Sequence, residues 1–236
     1  MPFYFKVNKV KITDNRESGF LFFKRDLAEI KLESFFSTSE TPDSDCQKYM
    51  RYLSAKNETA KNEAIAGMIS DVINSRATIK IDGVRDNQTL TFGDTGYALY
   101  RSEHIPDDIS WCLMAIEDDQ AIREVGTTME EVLKNPGFNE FANSFATIIG
   151  ASANPSFTAS VTIIRFIGQC VATAMKKNKD DMAGLLYMSL NRREHYPNGE
   201  RKSDGVMDLT GNMSIDYSVF GFEDLIIKSC PKRFPI

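Results

Sequence analysis

The sequence predicts an α+β protein: an antiparallel β-sandwich with a helical insertion that contains an apolar helical hairpin. Three observations carry that reading. Both ends of the 236-residue chain alternate apolar and polar side chains with strand period. Ile109 to Glu117, ISWCLMAIE, is a continuous apolar run of strand length, as a strand buried on both faces would be. Two stretches, Asn57 to Ser75 and Asn139 to Lys177, instead repeat their apolar residues at helical spacing.

In chain order, Phe3 to Ile12 reads as a strand with a register change near Lys9, and TDNRESG after it supplies turn residues. Phe20 to Lys24 and Ala28 to Ser37 read as further strands, and the polar stretch Thr38 to Ser54 as a long loop. Ala60, Ala64, Met68 and Val72 set a helix over Glu58 to Ser75. ATIKIDG, TLTF and YALYRS return to strand period, followed by the apolar run with the only tryptophan, Trp111. Thr127 or Thr128 can cap a helix over TMEEVLKN, since Glu131 follows Thr128 at capping-box spacing, and Pro136 and Gly137 end it. Helices over Asn139 to Ile149 and Ser156 to Lys177 form the hairpin. GLLYMSL is a strand, Asn191 to Asp208 a polar loop, NMSIDYSVFGF a strand, and FEDLIIKSCPKRFPI a last strand with a tail. One domain over 1–236 follows, its sandwich from 1–117 and 181–236 and its helical insertion at 118–180. The terminal strands are expected to pair with each other.

Composition narrows the function. Twenty-eight basic against 33 acidic residues leave a net charge of -5, which disfavours a generic nucleic-acid binder. Only His104 and His195 are present, so a histidine-rich metal cage is excluded. Cys46, Cys112, Cys170 and Cys230 never form a CxxC pair and read as reduced, mostly buried thiols. The alternating N-terminus reads as a strand instead of a secretory signal, so a cytoplasmic or peripheral membrane location is expected.

Three features could carry chemistry. From Phe141 to Met175 the one formally charged residue is Arg165, and the small residues between bulky ones permit close helix packing. The hairpin is then either buried on the sheet or able to leave it for a membrane. Acidic turns form the second feature: Asp14, Asp107 with Asp108, Asp118 with Asp119, and Asp180 with Asp181. Loop carboxylates gathered at one sandwich end can supply the oxygens that calcium needs, although such residues also serve as ordinary turns and caps. Asp14, Asp118, Asp119, Asp180 and Asp181 are the candidate ligands, with no other cofactor implied. The third is the basic stretch with Arg192, Arg193, Arg201 and Lys202, a candidate contact for anionic lipid or a plain solvated loop. No catalytic residues are assigned: a His104–Cys112 dyad would need a thiolate in an apolar strand, and no nucleophile, metalloprotease, Walker or Rossmann motif is present.

KVKITDNRES and KNKDDMAGLLYMSL resemble calcium- and phospholipid-binding β-sandwich domains of the protein kinase C conserved-region type. The resemblance implies calcium held by loop aspartates, with Asp14 at a first-loop position and Asp180 and Asp181 before Gly184, and lipid headgroups docked on the ions. It covers about a tenth of the chain. The helical segment between the patches is foreign to that family, and its dense late-loop aspartates are missing. The expected function is a non-catalytic binding or membrane-acting module, dependent on calcium or anionic lipid. The alternative is a structural protein assembling into a homo- or hetero-oligomer through the hairpin and the tail Phe234 to Ile236. Partners are accordingly a membrane surface or protein subunits.

Overall fold

A computed structural model describes residues 2–15, 27–39, 43–117, 132–178 and 182–222. The expected strand at Phe20 to Lys24, the first half of the helix over TMEEVLKN and the C-terminal strand and tail after Phe222 lie outside the described residues.

Two antiparallel sheets and a layer of helices make up the α+β fold. In the first sheet β1 (Phe3–Ile12) is central, with β4 (Gln88–Thr91) and β5 (Tyr97–Ser102) sharing one of its edges. On its other side lie β9 (Met213–Phe220) and then β8 (Glu200–Met207). The second sheet runs β3 (Ala77–Val84), β2 (Ala28–Thr38), β6 (Asp108–Glu117), β7 (Met182–Asn191). β1 pairs along its length with β9, while the last strand expected in FEDLIIKSCPKRFPI lies outside the described residues.

β1 shows how the pattern sets the layers. Phe3, Phe5 and Val7 point inward while Tyr4, Lys6 and Asn8 point out. A register shift between Val7 and Lys9 then changes the phase, so Val10 and Ile12 stay buried and Lys9 and Lys11 are exposed. Such a bulge inserts one residue without turning the apolar set into solvent. Between the sheets Phe5 stacks on Tyr217 at 5.4 Å and meets Trp111 edge-on at 5.0 Å. The Trp111 indole Nε1 donates to Ser34 Oγ at 2.8 Å, which satisfies its one polar atom inside the core.

β6 is buried on both faces, as its unbroken apolar run requires. Ile109, Trp111, Leu113 and Ala115 join the inter-sheet core, whereas Cys112, Met114 and Ile116 face the helices. Those helices are α1 (Asp43–Ser54), α2 (Glu58–Asn74), α3 (Phe138–Gly150) and α4 (Pro155–Asn178), with a short α5 (Arg192–His195) after β7. Asn57 caps α2 by accepting from the Ala60 amide at 2.9 Å, and Ile65, Met68, Ile69, Val72 and Ile73 are its buried side. Phe141 of α3 stacks on Phe166 of α4 at 4.0 Å, and Phe145, Ile149, Ile163, Ile164 and Ile167 are buried in the same cluster. Gly168 lets α4 approach β7, since a Cβ there would overlap the Tyr187 hydroxyl.

Two expectations need correction. Thr38 to Ser54 is no long loop, because α1 occupies most of it. Its stability is tertiary: Tyr52 meets Phe145 edge-on at 5.3 Å, and Lys48 pairs with Asp71 and donates to the Gly67 carbonyl at 3.1 Å. Asn191 to Asp208 is no loop either, since α5 and β8 lie within it. β8 is an edge strand paired only with β9 among the described strands, and its Glu200, Lys202 and Asp204 reach water, a composition that also discourages pairing with another chain.

Candidate functional site

The exposed face of the first sheet collects cations from three strands, β1, β5 and β8. The ladders place Arg101, Tyr4, Phe220 and Glu200 in one row across β5, β1, β9 and β8. The next row is Ala98, Lys6, Ser218 and Lys202. Lys9 follows between Thr91 and Asp216, and Lys11 lies beyond it between Thr89 and Ser214, with Met207 across from Ser214. Lys9, Lys11, Arg101 and Lys202 are exposed, and Lys6 is half-buried.

The face carries five cations, Lys6, Lys9, Lys11, Arg101 and Lys202, against the two carboxylates of Glu200 and Asp216. Asp216 is already engaged: its Oδ2 lies 3.5 Å from Lys9 Nζ, and its Oδ1 accepts from the Gly205 amide at 2.7 Å. Among the described residues no carboxylate lies within ion-pair distance of Lys6, Lys11, Arg101 or Lys202. Lys6 Nζ and the Arg101 guanidinium both sit over the Tyr4 ring, 5.4 and 5.6 Å from its centre, so the ring gathers two like charges that would otherwise spread apart. Large apolar side chains bracket this band. Phe220 and Phe222, 46% and 40% exposed, meet edge-on at 5.3 Å at one end. Met207, 55% exposed, stands at the other, and Leu209, 69% exposed, follows two residues later in the turn after β8.

The four basic residues singled out in the sequence are separated by the fold. Lys202 is on this face. Arg201 turns inward, where its Nε donates to the Tyr217 hydroxyl at 2.9 Å and its Nη1 to the His195 carbonyl at 3.4 Å. Arg192 lies 4.0 Å from Asp107, and Arg193 is exposed on α5, its amide donating to Asn191 Oδ1 at 3.0 Å. Lys6, Lys9, Lys11, Arg101 and the exposed aromatics were missed. The signal was visible as the lysines of KVNKVKI, which mark one strand face once the register shift is allowed for.

Of the candidate calcium ligands only Asp14 lies among the described residues; Asp118, Asp119, Asp180 and Asp181 do not. Asn212 grips the Asp14 main chain, accepting from its amide at 2.9 Å and donating to its carbonyl at 2.8 Å. The same Asn212 Nδ2 donates to the Ala183 carbonyl at 2.6 Å, tying the end of β1 to the start of β7. Asp108 opens β6, and its Oδ1 accepts from Asn191 Nδ2 at 2.8 Å. Among the described residues no group of three or more His, Cys, Asp or Glu could hold a metal ion, and no helix is long and apolar enough to cross a membrane.

Nor do His104 and Cys112 make a nucleophilic pair. His104 is exposed, with its amide on Ser102 Oγ. Cys112 is buried under the helices, and burial pushes its thiol up to about 12 even though it shares a hydrogen bond with Tyr187. Burial also pushes Cys170 up to about 11, so neither thiol supplies a thiolate near neutral pH. No protein-family model, curated protein or solved structure matches this chain.

Proposed function

We propose that this chain is a non-catalytic module that docks onto an anionic lipid surface through the outer face of its first sheet. One observation carries the reading: a chain of net charge -5 concentrates Lys6, Lys9, Lys11, Arg101 and Lys202 on one strand-built face. Each basic residue near an anionic leaflet contributes about 1 kcal/mol, and that attraction fades within a Debye length, so binding is reversible and salt-sensitive. The α3–α4 hairpin belongs to the scaffold in this reading, since Phe141, Phe145, Ile149, Ile163, Ile164 and Ile167 are buried. Calcium at Asp14, Asp118, Asp119, Asp180 and Asp181 is an added proposal. It is supported by the Asn212 clamp, which holds the Asp14 main chain and the start of β7 at one sandwich end.

Sedimentation with vesicles tests this. The protein is expected to pellet with phosphatidylcholine–phosphatidylserine vesicles at low salt and not with phosphatidylcholine alone. Lys11→Glu, Arg101→Glu and Lys202→Glu together should weaken binding about a hundredfold or more while the melting temperature stays near that of the parent. Unchanged binding in that triple variant would sink the proposal. A calcium arm, repeated with Asp180→Asn and Asp181→Asn, shows whether the ion contributes.

A second reading, oligomer assembly, is favoured by Met50 and Leu53 of α1 and Ile148 of α3, all exposed on the helical layer. It predicts a multimer by light scattering without lipid, reduced to a monomer by Met50→Glu with Leu53→Glu.

A further inference from the structure

We infer that the bilayer is gripped at both ends of the charged face, by Phe220 and Phe222 at one end and by Met207 and Leu209 at the other, so that the first sheet lies flat on the membrane. The inference rests on the lipid-docking reading and adds the orientation and the penetrating side chains.

Isolated exposed apolar residues are ordinary, but Phe220 and Met207 stand on this face at opposite ends of its cations, Phe222 packs on Phe220, and exposed Leu209 lies two residues beyond Met207. Tyr4 beside Phe220 and Lys11 beside the Met207 row are seven residues apart on β1, about 23 Å at strand rise. A membrane contacted at one end only would leave half the cations far from the headgroups. Contact at both ends brings Lys6, Lys9, Lys11 and Lys202 to the phosphate level together.

The Leu209 end is built to hold a shape. Leu209 follows Asp208, whose buried carboxylate accepts from the amides of Leu185, Thr210, Asn212 and Met213 and from the Thr210 hydroxyl. The Leu209 amide itself donates to the Leu185 carbonyl at 2.8 Å, and Gly211 takes φ 73° to close the turn. A side chain held on such a turn enters the interface without paying to order the loop.

A single-stranded nucleic acid would also suit a basic, aromatic sheet, yet the rings are set wrongly for it. Both cations cover the Tyr4 ring, and Phe220 and Phe222 stand at 87° to each other, so successive bases find no pair of parallel platforms. Leu209 and Met207 offer bases nothing to stack on, whereas acyl chains accept them.

Tryptophan reporters test the inference. The native Trp111 is 1% exposed and gives a constant, shielded background. Leu209→Trp and Phe220→Trp should each shift to the blue on phosphatidylserine-containing vesicles and be quenched by brominated acyl chains. Leu209→Asp, whose main-chain bonds are unchanged, should weaken partitioning about tenfold or more. If the parent protein fails to bind vesicles, the lipid reading itself falls. If it binds while neither reporter is quenched, docking is purely electrostatic and the inference is overturned. Quenching at one end alone overturns the flat orientation. Tighter binding to a single-stranded oligonucleotide than to vesicles overturns both.

Discussion

Replacing Glu33 by alanine should destabilise the protein by about 3–5 kcal/mol, the cost of stranding buried charge. Glu33 sits on the helix-facing side of β2, 4% exposed, with Lys31 two residues earlier on the same side, 8% exposed. Lys31 Nζ lies 2.6 Å from Glu33 Oε1, and Arg76 Nε donates to Oε2 at 2.8 Å. Arg76 follows α2 and also donates from Nη1 to the Ile73 carbonyl at 3.0 Å, so one carboxylate fastens the end of α2 to the second sheet. Without Glu33 two cations remain where water reaches poorly. Urea unfolding should therefore show a lower midpoint at unchanged slope. Glu33→Gln should fall nearly as far, because shape without charge does not neutralise either partner. Replacing Lys31, Glu33 and Arg76 together by apolar residues of similar volume should recover most of the loss. A single variant as stable as the parent would show that water reaches the triad.

The architecture was legible wherever burial alone dictates pattern. β1 alternates because one side meets a core, β6 is apolar throughout because both sides do, and α2 repeats Ile65, Met68, Ile69 and Val72 along the one side that joins the core between the helices and the second sheet. α1 was illegible because Tyr52 and Lys48 act through partners far along the chain, at Phe145 and Asp71. β8 was illegible because an edge strand wet on its outer side has no apolar stripe to announce it.

The charged face shows the same limit at the level of function. KVNKVKI displays its lysines openly, but it is the described helices packing on the second sheet that leave the first sheet's outer side to solvent. The partners Arg101 and Lys202 come from β5 and β8, and only the ladders bring them beside β1. The basic run Arg192 to Lys202 misled for the converse reason. Its residues are close in sequence, yet strand alternation turns Arg201 toward Tyr217 and Lys202 toward solvent.

Asp208→Asn should cost about 3–5 kcal/mol, although it changes one atom. The Asp208 carboxylate uses both oxygens: Oδ2 accepts from Leu185 N, Thr210 N and Thr210 Oγ1, and Oδ1 accepts from Asn212 N and Met213 N. Whichever way an amide is turned, its NH2 faces at least two N–H groups that need an acceptor. The turn that joins β8 to β9, and the Asn212 grip on Asp14 and Ala183, depend on those bonds. For a chain of this size that loss lowers the melting temperature by roughly 10 °C. Burial alone would push the Asp208 carboxyl up, but the Thr210 hydroxyl and the amides of Leu185, Met213 and Thr210 outweigh it and hold the group below its ordinary value. The folded state therefore binds this proton less readily than the unfolded chain. The stabilisation is complete above the ordinary carboxylate value, near pH 4, and is lost as pH falls through the lower folded value. Subtracting the unfolding free energy of Asp208→Asn from that of the parent at each pH cancels the other carboxylates. That difference should be flat from pH 7 to 5 and shrink below about pH 4. A difference that grows on acidification would mean the folded carboxyl is held above its ordinary value, and the turn would then be held together by something other than a charged acceptor.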